Sequence, residues 1–592
     1  MSKKKKVKTN KKTVSMKEAF TKVSPKSNEK NVNQSKRRTM RDLFWEYPGS
    51  LVKVFKVTSP LSTIFLFMLL GFGVFALLRS NTFAENVTSK RYTQYVEGRI
   101  GAISTFNPLF SNQNDVDKAI QELVFEKLIY IDINGDITPG IATSWDISKD
   151  GKTYQFNIST DRMWSDGTLL TIDDVLFTFQ TAIKLSVDHG YDTIGSALID
   201  VEIERVDEDT IKFELPQTNA TFPEIVSVYI IPKHILEDVV LSDMPFNIFS
   251  RNPVGSGPYR ISRSEPNIVY LRSSTYYKHQ PTISDIVVRI YSDVSKLQSA
   301  FRNGLLDGIV LPYNKDAEFT QEYPSYSSNV IDLPYRERIL FFNLRKDKFQ
   351  SEELRRGISH LIERDQLLTQ SEVFGSVIYG PIFDGSWAYS SDANYLSYDV
   401  AKAITSLKNA GYTQNVQNGY FQTEDGKLLT LAISYLDNDM NTDLMNTLKE
   451  LLDSEGVIIN LEPFTYSQLT QEILATRNFE ILMYEIELSI DPDQYNLWYS
   501  LQKEYPNLNL SGYEYDRVDI LLEEGRGELK QIERKKTYAL FQKYLVEDAP
   551  VIFLFRPSYL YVVRDNLDGI NFENITRLED IYKNVYDWEF MK

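Results

Sequence analysis

Residues 145–180 constrain the fold more than any other stretch. They spell a turn, a strand, a second turn and a capped helix in fixed order. Asp150-Gly151 is a turn signal, because glycine accepts the positive φ that tight turns require. Tyr154, Phe156 and Ile158 then alternate with Gln155 and Asn157, the period of a half-buried strand. Asp166 and Gly167 turn the chain again. Thr171-Ile-Asp-Asp174 has the form of a capping box, and Val175, Phe179 and Ala182 give the helix behind it an apolar stripe. Each signal alone fits any α/β scaffold, so what carries information is their order.

The chain is too long, at 592 residues, for a single core. Its formal charge of −16 is unevenly placed. Residues 1–56 hold 17 Lys or Arg against four acids, and the remainder holds 48 basic against 77 acidic residues. An acidic body excludes nucleic acid as the main partner. There is no cysteine, which removes thiolate catalysis, cysteine metal sites and disulfides. His189, His234, His279 and His360 are scattered and form no ligand pair, so neither a metal nor a cofactor is implied.

Residues 57–78 carry no charge, and about 20 apolar residues cross a bilayer as a helix. The Lys/Arg excess before them predicts a cytoplasmic N-terminus and an extracytoplasmic body. A cleaved signal peptide is the alternative, with small residues near Ala84. Residues 2–40 are too polar to fold alone and suit attraction to anionic lipid. Residues 79–92 form a polar spacer.

Beyond the spacer, strand and helix patterns alternate. Asp399 is placed to cap a helix that Gly411 ends. A second helix pattern covers 444–452, with Gly456 after it. Residues 457–461 and 479–484 are buried-strand candidates. Such alternation predicts a sheet covered by helices.

The order of motifs resembles the extracellular solute-binding proteins of the dipeptide, oligopeptide and nickel type, which serve ABC importers. Ile103-Ser-Thr-Phe-Asn-Pro-Leu109 is similar to the family's opening element, which makes Phe106 and Asn107 candidate ligand contacts. Residues 123–129 and 136–145 resemble its "LYEGL…LAxSW" run. Pro253-Val-Gly-Ser-Gly-Pro-Tyr259 is similar to "PVGTGPY", with Gly255 and Gly257 at its turn. Similar matches recur at 306–308, 343–355, 398–412 and 547–551.

The resemblance implies an α/β, two-lobed periplasmic-binding-protein-like fold with an interdomain ligand cleft, here preceded by one transmembrane helix. Its lobe I comprises 93–312 plus 557–592 and its lobe II 313–556, with crossings near Pro312 and Arg556-Pro557. The implied partners are a peptide or other small solute, an ABC transporter permease, and the membrane through the N-terminal helix. In peptide binders of this family, Gly-Trp and an aspartate three residues on grip the peptide amine. This chain has Glu485-Ile486 there and no aspartate at the expected place, so Glu487 or Asp491 is a candidate replacement, near a matching Asp491-Pro-Asp493. Arg355, with Arg356, is a candidate for a ligand carboxylate, and an ion pair with Glu352 or Glu353 is the competing reading. Gly255-Ser-Gly257 lacks the ending of a phosphate loop and reads as a tight turn.

The function expected is therefore solute capture without chemistry. No nucleophile elbow, metal motif or Cys/His set supports an enzyme. A surface sensor or adhesion protein that kept the fold, or a receptor for a sugar or nickel chelate, stays open as an alternative.

Overall fold

The computed structural model describes residues 93–591, apart from 111–113, 192–193, 313–318 and 321. The basic head, the apolar run at 57–78 and the spacer lie outside the described residues. No described helix is long and apolar enough to cross a membrane.

The block at 145–180 folds as its chemistry dictates. Strand Thr153–Ile158 alternates buried and half-exposed positions, with Tyr154, Phe156 and Ile158 inside. Gly151 and Gly167 adopt φ of +64° and +93°, where a side chain is disfavoured. Helix Ile172–His189 starts on the expected capping box, the Asp174 carboxylate accepting from the Thr171 amide at 2.8 Å. It ends at Gly190 in the left-handed conformation. The strand joins a four-stranded antiparallel sheet with Ala142–Ile147, Thr210–Glu214 and Glu202–Arg205.

A second, twelve-stranded sheet runs through the whole body. Its backbone is the 14-residue strand Val551–Arg564. The end of this strand from Tyr559 to Val563 pairs with Gly308–Pro312, and beyond it come Gln94–Ile100, Asp285–Tyr291, Ile268–Ser273 and Tyr259–Glu265. Its beginning, Val551 to Phe555, pairs with Arg336–Phe342, followed by Ile481–Glu487, Thr430–Leu436 and Ile458–Phe464. The two halves of this sheet belong to the two lobes. Strand Tyr326–Asp332 follows Pro312 in sequence yet still pairs with the first-lobe end, from Ser558 to Arg564. The strands therefore change lobe between Asp332 and Arg336, some distance beyond the crossing expected near Pro312. The return passes through Arg556 and Pro557 in mid-strand.

The helices expected in the second lobe are present, and the second is longer than its pattern. Helix Val400–Asn409 carries Asp399 as N-cap, accepting from the Lys402 amide, and Gly411 follows it at φ +90°. Helix Asp439–Ser454 covers strand Ile458–Phe464. Separate cores fill the lobes. Tyr95, Phe125, Tyr561 and Trp588 lie in the first, and Phe342, Leu448 and Leu554 in the second. A further core joins the small sheet, through Phe156 and Phe213, to second-lobe side chains Phe341, Trp498 and Phe541. Apolar burial of this kind, worth about 25 cal/mol per Å², holds the lobes against each other.

Candidate functional site

Strand pairing builds the polar seam between the lobes. Arg336 lies opposite Glu487 and Arg338 opposite Glu485. Side chains alternate along a strand, so these four share one face. Arg338 Nε donates to Glu485 at 2.9 Å.

The first lobe meets this face with the opening turn of helix Asp115–Val124. Asn114 caps the helix, its side chain accepting from the Val116 amide. Asp115 and Lys118 then sit one turn apart on the same side. The Arg336 guanidinium spans the Asp115 carboxylate with two bonds, of 2.8 and 3.0 Å, and lies over the Tyr559 ring at 5.5 Å. The Glu487 carboxylate accepts from Lys118 at 2.6 Å and from Arg336 at 3.3 Å, and Arg577 stands 3.7 Å away. Arg577 continues to Glu224 at 3.2 Å. Glu224 in turn accepts from the amides of Ile490 and Asp491, at 2.9 and 3.1 Å.

Burial raises the Glu487 carboxyl, but Lys118, Arg577 and Arg336 outweigh it and bring the pKa down to about 2. Asp115 follows the same logic: burial pushes it up, and Arg336 carries it below the ordinary value. Glu224 goes the other way, because burial outweighs Arg577. The seam therefore holds Glu487 and Asp115 ionised beside their cations, at positions between buried and partly exposed. Charge-assisted bonds of this geometry are the ones that recognise ammonium and carboxylate groups.

The remaining site expectations sort by position. Glu487 is central to the seam. Asp491 touches it through its amide, while its carboxylate holds Arg534 with bonds of 2.6 and 2.8 Å. Asp493 binds Arg526 at 3.0 Å through Nε. Both aspartates are thus engaged within the second lobe. Phe106 is buried in the first core, and its amide donates to the Ser250 carbonyl at 2.8 Å. Asn107 is also buried, with Oδ1 accepting from the Leu109 amide.

Arg355 corrects both readings made for it. It is buried and donates to the backbone carbonyls of Phe349, Asp548 and Ala549, so it stitches a helix to the end of another. Its neighbour Arg356 makes the expected surface pairs with Glu352 and Glu353. Gly255 and Gly257 are a tight packing turn. A Cβ on Gly255 would stand 2.0 Å from the Val124 carbonyl oxygen, and the Gly257 amide donates to that same oxygen at 2.8 Å. Asp166 accepts from His234 at 2.9 Å on the surface, and Thr171 serves its helix.

Asp115, Lys118, Glu224, Arg336, Arg338 and Arg577 carry no motif in the sequence, and Glu485 stands out only as the residue at the family's Gly-Trp position. The available signal was the charged Arg336-Glu-Arg338 opening an otherwise apolar strand, since charges are rarely buried unless paired.

A cavity of about 200 Å³ lies apart from the seam, at the two connections between the lobes. Asp332, Pro334, Phe383, Asp384 and Arg556 line it. No group of acids and histidines able to hold a metal occurs among the described residues.

Comparison with known proteins follows the same architecture. The family model described as "Bacterial extracellular solute-binding proteins, family 5 Middle" matches residues 136–507. The oligopeptide-binding protein AppA of Bacillus subtilis is 24% identical over 507 residues, covering 84% of this chain and 91% of the relative. The probable D,D-dipeptide-binding periplasmic protein DdpA of Escherichia coli is 23% identical, covering 82% and 92%. Among solved structures, AppA of Bacillus subtilis in complex with a nonapeptide superposes with a TM-score of 0.73 at 23% identity, covering 84% of this chain and 99% of that one. NikZ of Campylobacter jejuni in complex with Ni(L-His) gives 0.72 at 23% identity with the same coverage.

Proposed function

The chain belongs to the bacterial extracellular solute-binding proteins of family 5, and from that premise we propose that it captures peptides outside the cell membrane for an ABC importer. The observation that carries this reading is the seam. Eight charged groups, four of each sign, meet where the lobes meet: Asp115, Lys118, Glu224, Arg336, Arg338, Glu485, Glu487 and Arg577. When the lobes part, each exposes partners for a peptide's ends. Glu487 and Asp115 suit an ammonium, and Arg336 and Arg577 suit a carboxylate. Closure about the two connections then exchanges bonds within the seam for bonds to the solute. AppA and DdpA, named for oligopeptide and D,D-dipeptide binding, support the peptide reading.

The membrane placement rests on sequence alone. Residues 57–78 anchor the chain and the positive head keeps the N-terminus inside, leaving the receptor body outside, beside its permease. No covalent change to the solute is part of this function.

One observation favours a second reading, a non-peptide solute. Glu485-Ile486 replaces the Gly-Trp of the peptide-binding pattern, and Glu487 already holds three cations. A structural neighbour, NikZ, was solved with Ni(L-His).

Mass spectrometry of what the protein carries decides between them. The full chain is purified in mild detergent without added ligand, denatured, and the released small molecules are weighed. A ladder of short peptides is the expected result. A single non-peptide species establishes the second reading, and an empty protein whose melting temperature no peptide mixture shifts overturns solute capture.

A further inference from the structure

We propose that Lys118 and Asp115 form a built-in stand-in for the two ends of the cargo. The first lobe offers its own ammonium to Glu487 and its own carboxylate to Arg336, and a bound peptide must displace both. The inference rests on the reading of the seam as the peptide site.

The receiving pair belongs to the second lobe. Arg336 and Glu487 stand directly opposite each other on neighbouring strands, and Arg336 Nη2 donates to the Glu487 carboxylate at 3.3 Å. A guanidinium and a carboxylate so placed offer one position to an anion and, beside it, one to an ammonium.

The occupying pair belongs to the first lobe and comes from the opening of one helix, Asp115–Val124. Lys118 Nζ donates to Glu487 at 2.6 Å, the shortest of the three cation contacts that Glu487 makes. The Asp115 carboxylate takes both Nη groups of Arg336, at 2.8 and 3.0 Å. Asp115, Arg336, Glu487 and Lys118 thus alternate in sign. A lysine ammonium and an aspartate carboxylate are the same groups that end a peptide, and the two-bond grip on Arg336 is the one a terminal carboxylate takes.

Local structure supports placement for this contact. Lys118 lies near the N-terminal end of its helix, where the helix dipole favours acids and disfavours cations, so the helix itself gains nothing from it. Asp117 ties the same turn into the first lobe, accepting from the amides of Ser104 and Thr105 at 3.1 and 2.9 Å. Parting of the lobes therefore withdraws Asp115 and Lys118 together. Arg577 stands farther from Glu487, at 3.7 Å, and shares its guanidinium with Glu224.

Ion pairs taken largely out of water return little more than their desolvation costs. The stand-in therefore biases the lobes toward each other without locking them. A site that is open in only a fraction of the molecules binds its cargo more weakly by that fraction.

The test uses the full chain in detergent, stripped of solute by unfolding and refolding, with two readings. Titration calorimetry compares tri-alanine, N-acetyl-tri-alanine, which lacks the ammonium, and tri-alanine amide, which lacks the carboxylate. Small-angle scattering without peptide gives the radius of gyration. Lys118→Met should tighten tri-alanine at least about threefold, as for a site about one third open in wild type. It should not tighten the acetylated probe, which can bind with the Lys118–Glu487 bond in place. Asp115→Asn should likewise tighten tri-alanine but not the amide. The double variant should show a larger radius than wild type. Arg205→Ala removes an equal charge from an exposed pair and should leave both readings at wild-type values. Weaker or equal binding of tri-alanine by the two single variants would overturn the stand-in, since the side chains would then grip the cargo or be idle. An unchanged radius in the double variant would overturn it as well. If no form of the protein binds tri-alanine or a mixture of short peptides, the peptide reading falls and the radius alone decides whether Lys118 and Asp115 hold the lobes together.

Discussion

Glu487 and Glu337 lie on neighbouring strands, and their environments set them apart. Glu487 faces the seam, where Lys118, Arg336 and Arg577 bring it down to about 2. Glu337 faces the opposite side of the sheet, where burial leads and Arg556 only partly offsets it, and its carboxyl rises to about 8. Both side chains are largely removed from water. Burial alone therefore does not decide the state of a carboxylate in this fold; the number of cations within reach does. On one side of this strand pair Glu487 stays ionised at pH 7, and on the other Glu337 is held mostly neutral.

That contrast can be broken from either side. The largest effect is expected at Glu337. Its folded pKa lies above the unfolded value, so stability falls as pH rises from about 4.5 to about 8 and stays low above that. At about 1.4 kcal/mol per pKa unit the loss reaches at most about 5 kcal/mol. Glu337→Gln should remove this slope, gaining stability over wild type at pH 8.5 but little at pH 5. Urea unfolding at the two pH values checks it, and parallel curves would show that Glu337 is not held neutral.

Glu487→Gln comes next and has the opposite sign. Removing one partner from a buried ion network costs about 3–5 kcal/mol. Here the folded pKa is depressed. The contribution is full above the unfolded value near 4.5 and is lost as pH falls toward about 2. The difference between variant and wild type should therefore shrink on acidification from pH 5. A difference that stays constant down to pH 2 would mean the three cations do not set the state of Glu487.

The smallest effect belongs to an exposed pair. Arg205 and Asp173 lie 3.1 Å apart, but both side chains are more than 40% exposed. Arg205→Ala should cost no more than about 0.5 kcal/mol in the same unfolding assay. A loss comparable to that at Glu487 would remove the distinction between buried and solvated charge.

Legibility in the sequence follows the range of the interactions. The turns at Gly151 and Gly167, the cap at Thr171 and the helix after Asp399 depend on neighbours within a few residues, and they could be read directly. The change of lobe comes after Asp332, beyond the crossing expected near Pro312. Nothing local tells strand Tyr326–Asp332 that its partner is Val551–Arg564, more than two hundred residues on. The seam was legible only at Glu487, through its place in a motif. Its partners come from positions 115, 118, 336 and 577, and no spacing rule links them. At Arg355, helical spacing from Glu352 and Glu353 gives neighbours but not which face is inside. The buried Leu354 and Ile358 flank Arg355, while Arg356 turns outward.

Small-angle X-ray scattering of the solute-stripped chain, with and without a mixture of short peptides, tests the central claim most directly. Capture between two closing lobes predicts a smaller radius of gyration with peptide, and no such change in Glu487→Gln at the same concentration. An unchanged radius in wild type, under conditions where peptide is bound, would contradict closure over the solute at the seam.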